Sequence, residues 1–193
     1  MKLVVAIGGA SGAPYAKRLL DVLRDLEAGS VPGGLEIATV FSDAGKQVWA
    51  HEVGTDPREL PFRRYGGRDF GAPFASGSAG WDAMIVIPCS MGGLARIAHG
   101  ISGDLIGRAA DVMLKERRRL ILVVRETPYS LLHLENMERV TRAGAIVMPA
   151  SPSFYARPQS VEGLLDTVIS RALDHLRIPN QLHKRWGAEP QEE

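Results

Sequence analysis

An arginine and a glutamate stand side by side directly after an apolar run of the sequence. The run, residues 120–124, is typical of a buried strand, and Arg125 and Glu126 follow it at once. A carboxyl group at the end of a strand can act as a general acid or base. A surface ion pair between the two side chains is the alternative. The pair therefore indicates either proton transfer or a structural contact.

Two turns made of small residues follow two other apolar runs, at positions 8–13 and 89–93. Each turn precedes an amphipathic pattern, so the backbone N–H groups of a helix start would point into it. Ser11, Ser42 and Ser90 add hydroxyl groups at three strand ends. Such turns can hold a phosphate and a flat ring, and tight helix–strand packing is the alternative. The spacing matches neither a P-loop nor a dinucleotide-binding motif.

Further donors for a phosphate are available from Lys115, Tyr155, Arg157 and Arg171. Lys115 begins a basic run, and we expect it to point towards the strand ends that carry the small-residue turns. The rest of that run, residues 117–119, is typical of a helix end that complements the helix dipole and faces water. These side chains could therefore bind a phosphate together.

The histidines, the cysteine and the acidic residues do not predict a metal site. The five histidines form no ligand pair, and no aspartate-rich run could hold Mg²⁺. His99 and His133 are interpreted as structural residues. Cys89 follows a buried strand and is interpreted as a packing residue. We therefore expect chemistry that does not depend on a metal.

The totals indicate one domain spanning residues 1–193. A net charge of +1 argues against a nucleic-acid binder driven by bulk charge. The single cysteine excludes an internal disulfide and indicates a reducing compartment, the cytoplasm. No apolar run is long enough to span a membrane.

Strand and helix patterns alternate along the chain. Five apolar runs read as strands, at 3–7, 36–42, 83–88, 120–124 and 145–148, and helices are expected between and after them. Residues 54–80 read as an irregular loop that carries function or contacts a partner. The tail from about 179 to 193 is polar and expected to be loose. The pattern predicts an α/β fold with a parallel sheet covered on both faces and a ligand at the carboxyl ends of its strands.

Several motifs, in order, resemble the UbiX family of flavin prenyltransferases from Leu3 to Trp186. They are G-A-S-G-A at 9–13, P-C-S at 88–90, R-A-A-D-V at 108–112, L-K-E-R-R at 114–118, R-E-T-P at 125–128, H-L-E-N-M at 133–137, and F-Y followed by R-P-Q at 154–159. The number and order of the motifs make the resemblance more specific than any one of them.

The resemblance implies a three-layer Rossmann-like or flavodoxin-like fold that binds FMN. It implies transfer of the dimethylallyl group of dimethylallyl phosphate to N5 and C6 of reduced FMN, without a metal. The product, prenylated FMN, would serve a UbiD-type decarboxylase, and older descriptions of the family call its members decarboxylases. A homo-oligomer, typically a dodecamer, with active sites at its interfaces is also implied.

The resemblance also implies roles for residues at matching positions. FMN would be bound by Gly9, Ala10, Ser11, Ser42, Ser90, Met91, Gly92, Gly93 and Arg125. Dimethylallyl phosphate would be bound by Tyr155 and Arg171, with Lys115 and Arg125 nearby. The implied catalytic residues are Ser11, Glu52, Lys115 and Glu126, of which Glu52 and Glu126 are linked to proton transfer. Trp81 and Trp186 would either shape an apolar wall around the prenyl chain or pack in the core.

The chain departs from the family at two glycines. Gly8 stands where the family often has threonine or serine, and Gly93 stands where it usually has threonine. Both changes remove a hydroxyl group near the expected flavin, so weaker affinity or more mobile loops would follow.

Two alternative functions remain open on the same fold. One is an FMN-dependent decarboxylase of the cysteine-decarboxylase group, for which His51 is the candidate catalytic histidine. The other is a non-catalytic FMN carrier.

Overall fold

The computed structural model describes residues 1–26, 30–185 and 187. Its sheet contains six strands, all parallel, in the spatial order β3-β2-β1-β4-β5-β6. The strands are β1 (Lys2–Ile7), β2 (Glu36–Phe41), β3 (Arg63–Tyr65), β4 (Ala83–Cys89), β5 (Arg119–Val124) and β6 (Ile146–Pro149). This is the Rossmann strand order, and the α/β fold with a central parallel sheet is confirmed.

Helices cover both faces of the sheet, which gives the predicted three layers. They are α1 (Ala13–Asp25), α2 (Asp43–Glu52), α3 (Met91–Ala98), α4 (Leu105–Lys115), α5 (Leu131–Arg142) and α6 (Val161–Leu176). Successive strand residues point to opposite faces, so one strand contributes to two apolar clusters. One cluster packs the sheet against α3, α4 and α5, and the other packs it against α1, α2 and α6.

The segment 54–80 contains structure that the sequence did not predict. β3 pairs with β2 at the edge of the sheet. The segment also contains three short 3₁₀ helices, one before β3 and two after it. Phe74 and Trp81 are buried, with ring centroids 5.2 Å apart. Trp81 therefore packs in the core, whereas Trp186 lies outside the described residues.

The order of the strands reverses between β1 and β4, and this point brings the two small-residue turns together. The Gly8 N–H donates to the Pro88 carbonyl oxygen at 3.0 Å. In parallel sheets of this type, ligands bind outside the carboxyl ends of the strands at such a point. Within the described residues, no helix is long and apolar enough to cross a membrane.

Candidate active site

Three helices begin at one cavity beyond the carboxyl ends of β2 and β4. Their N-caps are Ser42 for α2, Ser90 for α3 and Asp104 for α4, and all three line the cavity. Each side-chain oxygen accepts a backbone N–H of its own helix, from Gly45 at 2.9 Å, Gly93 at 3.2 Å and Gly107 at 2.7 Å. The converging helix starts provide the positive dipole ends that favour a phosphate.

The cavity has the size and the lining that a flavin mononucleotide needs. Its volume is about 690 Å³, within the range of small-molecule sites. Gly9, Ser42 and Ser90 line it, as the sequence predicted, and each capping serine still has a hydroxyl proton that can point at a ligand. A side chain at Gly9 would place its Cβ 2.3 Å from the Cβ of Ala44, so only glycine fits. The residues present therefore fit FMN.

Two arginines in the cavity wall were missed by the sequence reasoning. Arg68 lies in the segment that was read as an irregular loop, and Arg96 lies on α3. A Cβ on Gly92 would lie 3.9 Å from the Arg96 guanidinium, because residues four apart share one face of a helix. That spacing was the available signal for Arg96. The short strand that precedes Arg68 gave no comparable signal.

Ser11, Glu52 and Arg125 meet at the start of α1. The backbone N–H groups of Gly12 and Ala13 both donate to Glu52 Oε2 at 2.8 Å, and the Ser11 hydroxyl donates to the same carboxylate. The Arg125 Nε donates to the Ser11 carbonyl oxygen at 3.0 Å. The start of α1, where the sequence allowed a phosphate, is thus occupied by the carboxylate of Glu52.

The pKa of Glu52 lies below its ordinary value. Partial burial raises the pKa, but the hydrogen bonds from Ser11, Gly12 and Ala13 and the charge of Arg125 outweigh that effect. Glu52 is therefore an anion at neutral pH, held by donors that favour its charged form.

The remaining expected residues near the strand ends are placed as follows. Glu126 is half-buried beside Arg125, and its Oε1 accepts the N–H of Thr127 at 3.0 Å. Ala10 and Met91 are buried, so a flavin would meet their backbone atoms first. Gly92 is exposed at the start of α3.

Tyr155 and Arg171 belong to a second group, along α6. Arg171 lies ten residues into α6, about 15 Å from the first turn of that helix. Its guanidinium donates to Asp174 at 2.8 Å, and the Tyr155 hydroxyl is 2.6 Å from Nε2 of His183. This group does not include Ser11, Glu52 or Arg125.

Lys115 does not lie at the predicted edge within its own chain. It is the last residue of α4, and only three residues separate it from Arg119, which pairs with Ala83 at the amino end of β4. Since α4 starts at the cavity and runs away from it, the lysine lies about 15 Å from the helix start. Its ammonium group forms an ion pair with Glu116. The expectation that Lys115 points to the carboxyl ends of the strands is therefore wrong within one chain.

The cysteine and two histidines have structural surroundings. Cys89 is fully buried, and burial raises the pKa of its thiol to about 12. The His133 Nδ1 accepts the Ser130 N–H and completes a capping box at the start of α5. His99 is hydrogen-bonded to Asn136 and Arg139. Within the described chain, no group of three or more His, Cys, Asp or Glu residues could hold a metal ion.

The two departing glycines predict opposite responses to substitution. A Cβ at Gly8 would lie 2.4 Å from the Pro88 carbonyl oxygen, whereas a Cβ at Gly93 would meet Ser90 Oγ at 3.4 Å. We expect Gly8→Ala to lower the free energy of unfolding by about 1–3 kcal/mol. We expect Gly93→Ala to leave it unchanged or raise it by up to about 1 kcal/mol, because alanine favours a helix. Denaturant unfolding of both variants tests the pair, and equal stabilities would contradict the prediction.

Comparisons with known proteins identify the family of the chain. A family model described as "Flavoprotein" matches residues 1–173. The flavin prenyltransferase UbiX of Methanocaldococcus jannaschii is 45% identical over 190 residues, covering 97% of this chain and 99% of that protein. The crystal structure of AnUbiX in complex with FMN and dimethylallyl pyrophosphate is 42% identical, with a TM-score of 0.89, and covers 97% of this chain and 98% of its own.

A second solved structure is that of a dodecameric FMN-dependent UbiX-like decarboxylase from Escherichia coli O157:H7. It is 39% identical, has a TM-score of 0.90, and covers 97% of this chain and 100% of its own. Cysteine decarboxylases, at 14% and 15% identity, share the fold alone. From the family model and the near-complete coverage at over 40% identity, the chain belongs to the UbiX flavin prenyltransferases within the flavoprotein family.

Proposed function

We propose that this chain is a flavin prenyltransferase that joins the dimethylallyl group of dimethylallyl phosphate to N5 and C6 of reduced FMN. The product is prenylated FMN, the cofactor of UbiD-type decarboxylases. The observation that carries the proposal is the cavity at three helix starts, lined by Gly9, Ser42 and Ser90, in a chain of this family. A cytoplasmic location belongs to the proposal as well, and the buried thiol of Cys89 suits a reducing compartment.

Each residue of the site has a role in the proposed reaction. Ser42 and Ser90, with the helix starts, would hold the phosphate of bound FMN, and Gly9 would leave room beside it. Bound reduced FMN supplies the nucleophilic atoms. Arg125 neutralises the charge on the phosphate of dimethylallyl phosphate, and Glu126 delivers a proton to this phosphate as it departs. Phosphate is a poor leaving group unless it is protonated or its charge is neutralised. We assign the acceptance of a proton to Glu52, an anion hydrogen-bonded to Ser11.

The proposed active site is completed between copies of the chain. Within one chain, Lys115 lies at the opposite end of the sheet from Arg125 and Glu126, yet one small donor would have to meet all three. Phe154, next to Tyr155 in the sequence, is 71% exposed, and Val161, at the start of α6, is 72% exposed. α5 also exposes Leu131 at 70% and Leu132 at 68%. Surfaces of this kind mark protein interfaces, so we propose a homo-oligomer, a dodecamer, with interface active sites.

The reaction is tested by anaerobic incubation of the protein with reduced FMN and dimethylallyl phosphate, followed by mass spectrometry of the released flavin. We expect the flavin mass to increase by one five-carbon prenyl unit. A parallel incubation with dimethylallyl diphosphate identifies the donor. Unmodified FMN with both donors would refute the proposal.

The shared site is tested by mixing two inactive variants, Lys115→Ala and Glu126→Gln, during assembly. If the lysine and the glutamate of one site come from different copies, about one quarter of the sites in mixed oligomers contain both native residues. We therefore expect about a quarter of the wild-type activity. If both residues of a site came from one chain, no mixed oligomer would recover activity.

The two alternatives have less support. His51, the candidate for a cysteine decarboxylase, is exposed on α2 and does not line the cavity described above. A non-catalytic carrier would bind FMN and return it unmodified in the incubation above.

A further inference from the structure

The C-terminal segment, residues 177–185, contacts Tyr155 directly and Arg171 through Asp174, two of the side chains expected to bind the phosphate of the donor. Nε2 of His183 lies 2.6 Å from the Tyr155 hydroxyl, and the centroids of the two rings are 5.1 Å apart. The Asp174 carboxylate accepts from Arg171 at 2.8 Å and from Arg185 at 2.7 and 3.1 Å. Tyr155 and Arg171 are therefore both connected to this segment, Arg171 through Asp174.

The segment is fixed by its own contacts. Arg177 ends α6 in the left-handed region, at φ 60°, and turns the chain back along the helix. Ile178 is buried, and its N–H donates to the Leu173 carbonyl oxygen at 2.9 Å. The Asn180 side chain accepts from the Ser170 hydroxyl at 2.8 Å. These contacts bring His183 to Tyr155.

The chemistry of the pair explains why a histidine suits this position. The Tyr155 hydroxyl has one proton, and a phosphate oxygen binds it only as a donor. If the hydroxyl gives its proton to a phosphate, His183 stays hydrogen-bonded to the phenolic oxygen only by donating to it. The Nε2 atom of an imidazole can accept in one tautomer and donate in the other. An aliphatic side chain could do neither.

We propose that His183 is a positioning residue for the prenyl donor. When no dimethylallyl phosphate is bound, Nε2 of His183 accepts a hydrogen bond from the Tyr155 hydroxyl. When Tyr155 turns its proton to the phosphate, the other tautomer of His183 donates a hydrogen bond to the phenolic oxygen. His183 thereby keeps Tyr155 in one orientation in both states. The inference rests on the proposed function, which supplies the phosphate ligand.

The test compares His183→Leu with His183→Gln in protein saturated with reduced FMN. Leucine keeps the bulk and removes the hydrogen bond, whereas the glutamine amide can accept or donate at a similar reach. We expect His183→Leu to raise the KM for dimethylallyl phosphate about fivefold, with kcat changed less than about twofold. We expect His183→Gln to restore most of the lost affinity. Gln181→Leu, in the same segment and exposed, is the matched control and should behave as wild type.

A double-mutant cycle with Tyr155→Phe separates positioning from a general effect on the fold. If His183 acts through the hydroxyl, His183→Leu has no further effect on KM in the Tyr155→Phe background. An equal rise of KM in both backgrounds, or no rise in either, would overturn the inference. Equal thermal unfolding midpoints and equal FMN affinity show that the variants are folded.

Failure of the proposed function gives a different result. Wild-type protein that binds FMN but forms no prenylated flavin refutes the prenyltransferase. Calorimetric titration of the FMN-loaded variants with dimethylallyl phosphate then tests the role of His183 without turnover. The same fivefold difference, lost in the Tyr155→Phe background, supports it, and identical affinities overturn it.

Discussion

Replacement of Glu126 by glutamine should lower kcat by about 10²–10⁴-fold while leaving FMN bound. The glutamine keeps the size of the side chain and can still accept the Thr127 N–H, which Glu126 accepts at 3.0 Å. It cannot deliver a proton to the departing phosphate. The loss should therefore appear in turnover, measured as prenylated FMN formed per minute under anaerobic conditions, and not in the affinity for flavin.

The control for this variant is Glu135→Gln, which makes the same chemical change at an exposed position on α5. It should leave both turnover and flavin binding at wild-type values. If Glu126→Gln kept turnover within about threefold of wild type, the assignment of proton delivery to Glu126 would be wrong.

Substitutions of Glu52 should separate an effect on turnover from an effect on the stability of the fold. Glu52→Gln keeps an oxygen that can accept from the Gly12 and Ala13 N–H groups but removes the charge that would accept a proton. We expect turnover to fall by about 10²-fold or more with a nearly unchanged unfolding midpoint. Glu52→Ala removes the cap of α1 as well and should cost about 1–2 kcal/mol, which lowers the midpoint by about 3–6 °C.

The stabilisation that the Glu52 carboxylate provides should decrease as the pH falls. The pKa of Glu52 is lower in the folded protein than its ordinary value, because Ser11, two backbone N–H groups and Arg125 favour the anion despite partial burial. The stabilisation is therefore fully present above the ordinary value of about 4.3 and is lost as pH falls through the lower folded value. The difference between wild type and Glu52→Ala should shrink in that acidic range. A difference that grew with acidity would contradict the argument.

The sheet and the cavity were predictable because their signals are local. Apolar runs followed by small residues predicted β1 and β4, and the parallel sheet placed both turns at one edge. Ser42 and Ser90 could be chosen because each directly follows a strand. β3 was missed because it has only three residues, two of them arginines, and pairs along a single edge.

The residues that sequence patterns could not place depend on contacts between distant parts of the chain. Glu52 lies at the end of α2, ten residues after Ser42, and reaches the start of α1 only because the two helices pack together. The role expected for Glu52 came from the family resemblance alone. The expected direction of Lys115 was wrong for the reverse reason, since α4 carries it to the other end of the sheet within its own chain. Tyr155 and Arg171 meet through Asp174 and the segment that follows α6, which no local pattern indicates.

The burial of Cys89 also makes it an internal reporter of opening motions. The thiol is fully enclosed next to Ser90, and its pKa of about 12 leaves almost no thiolate at neutral pH. A thiol reagent can therefore react only while the end of β4 is transiently exposed. Because the chain has one cysteine, the labelling rate follows this single event without interference from other sites. Slower labelling when FMN is added would measure how strongly the flavin closes the strand end over which it binds.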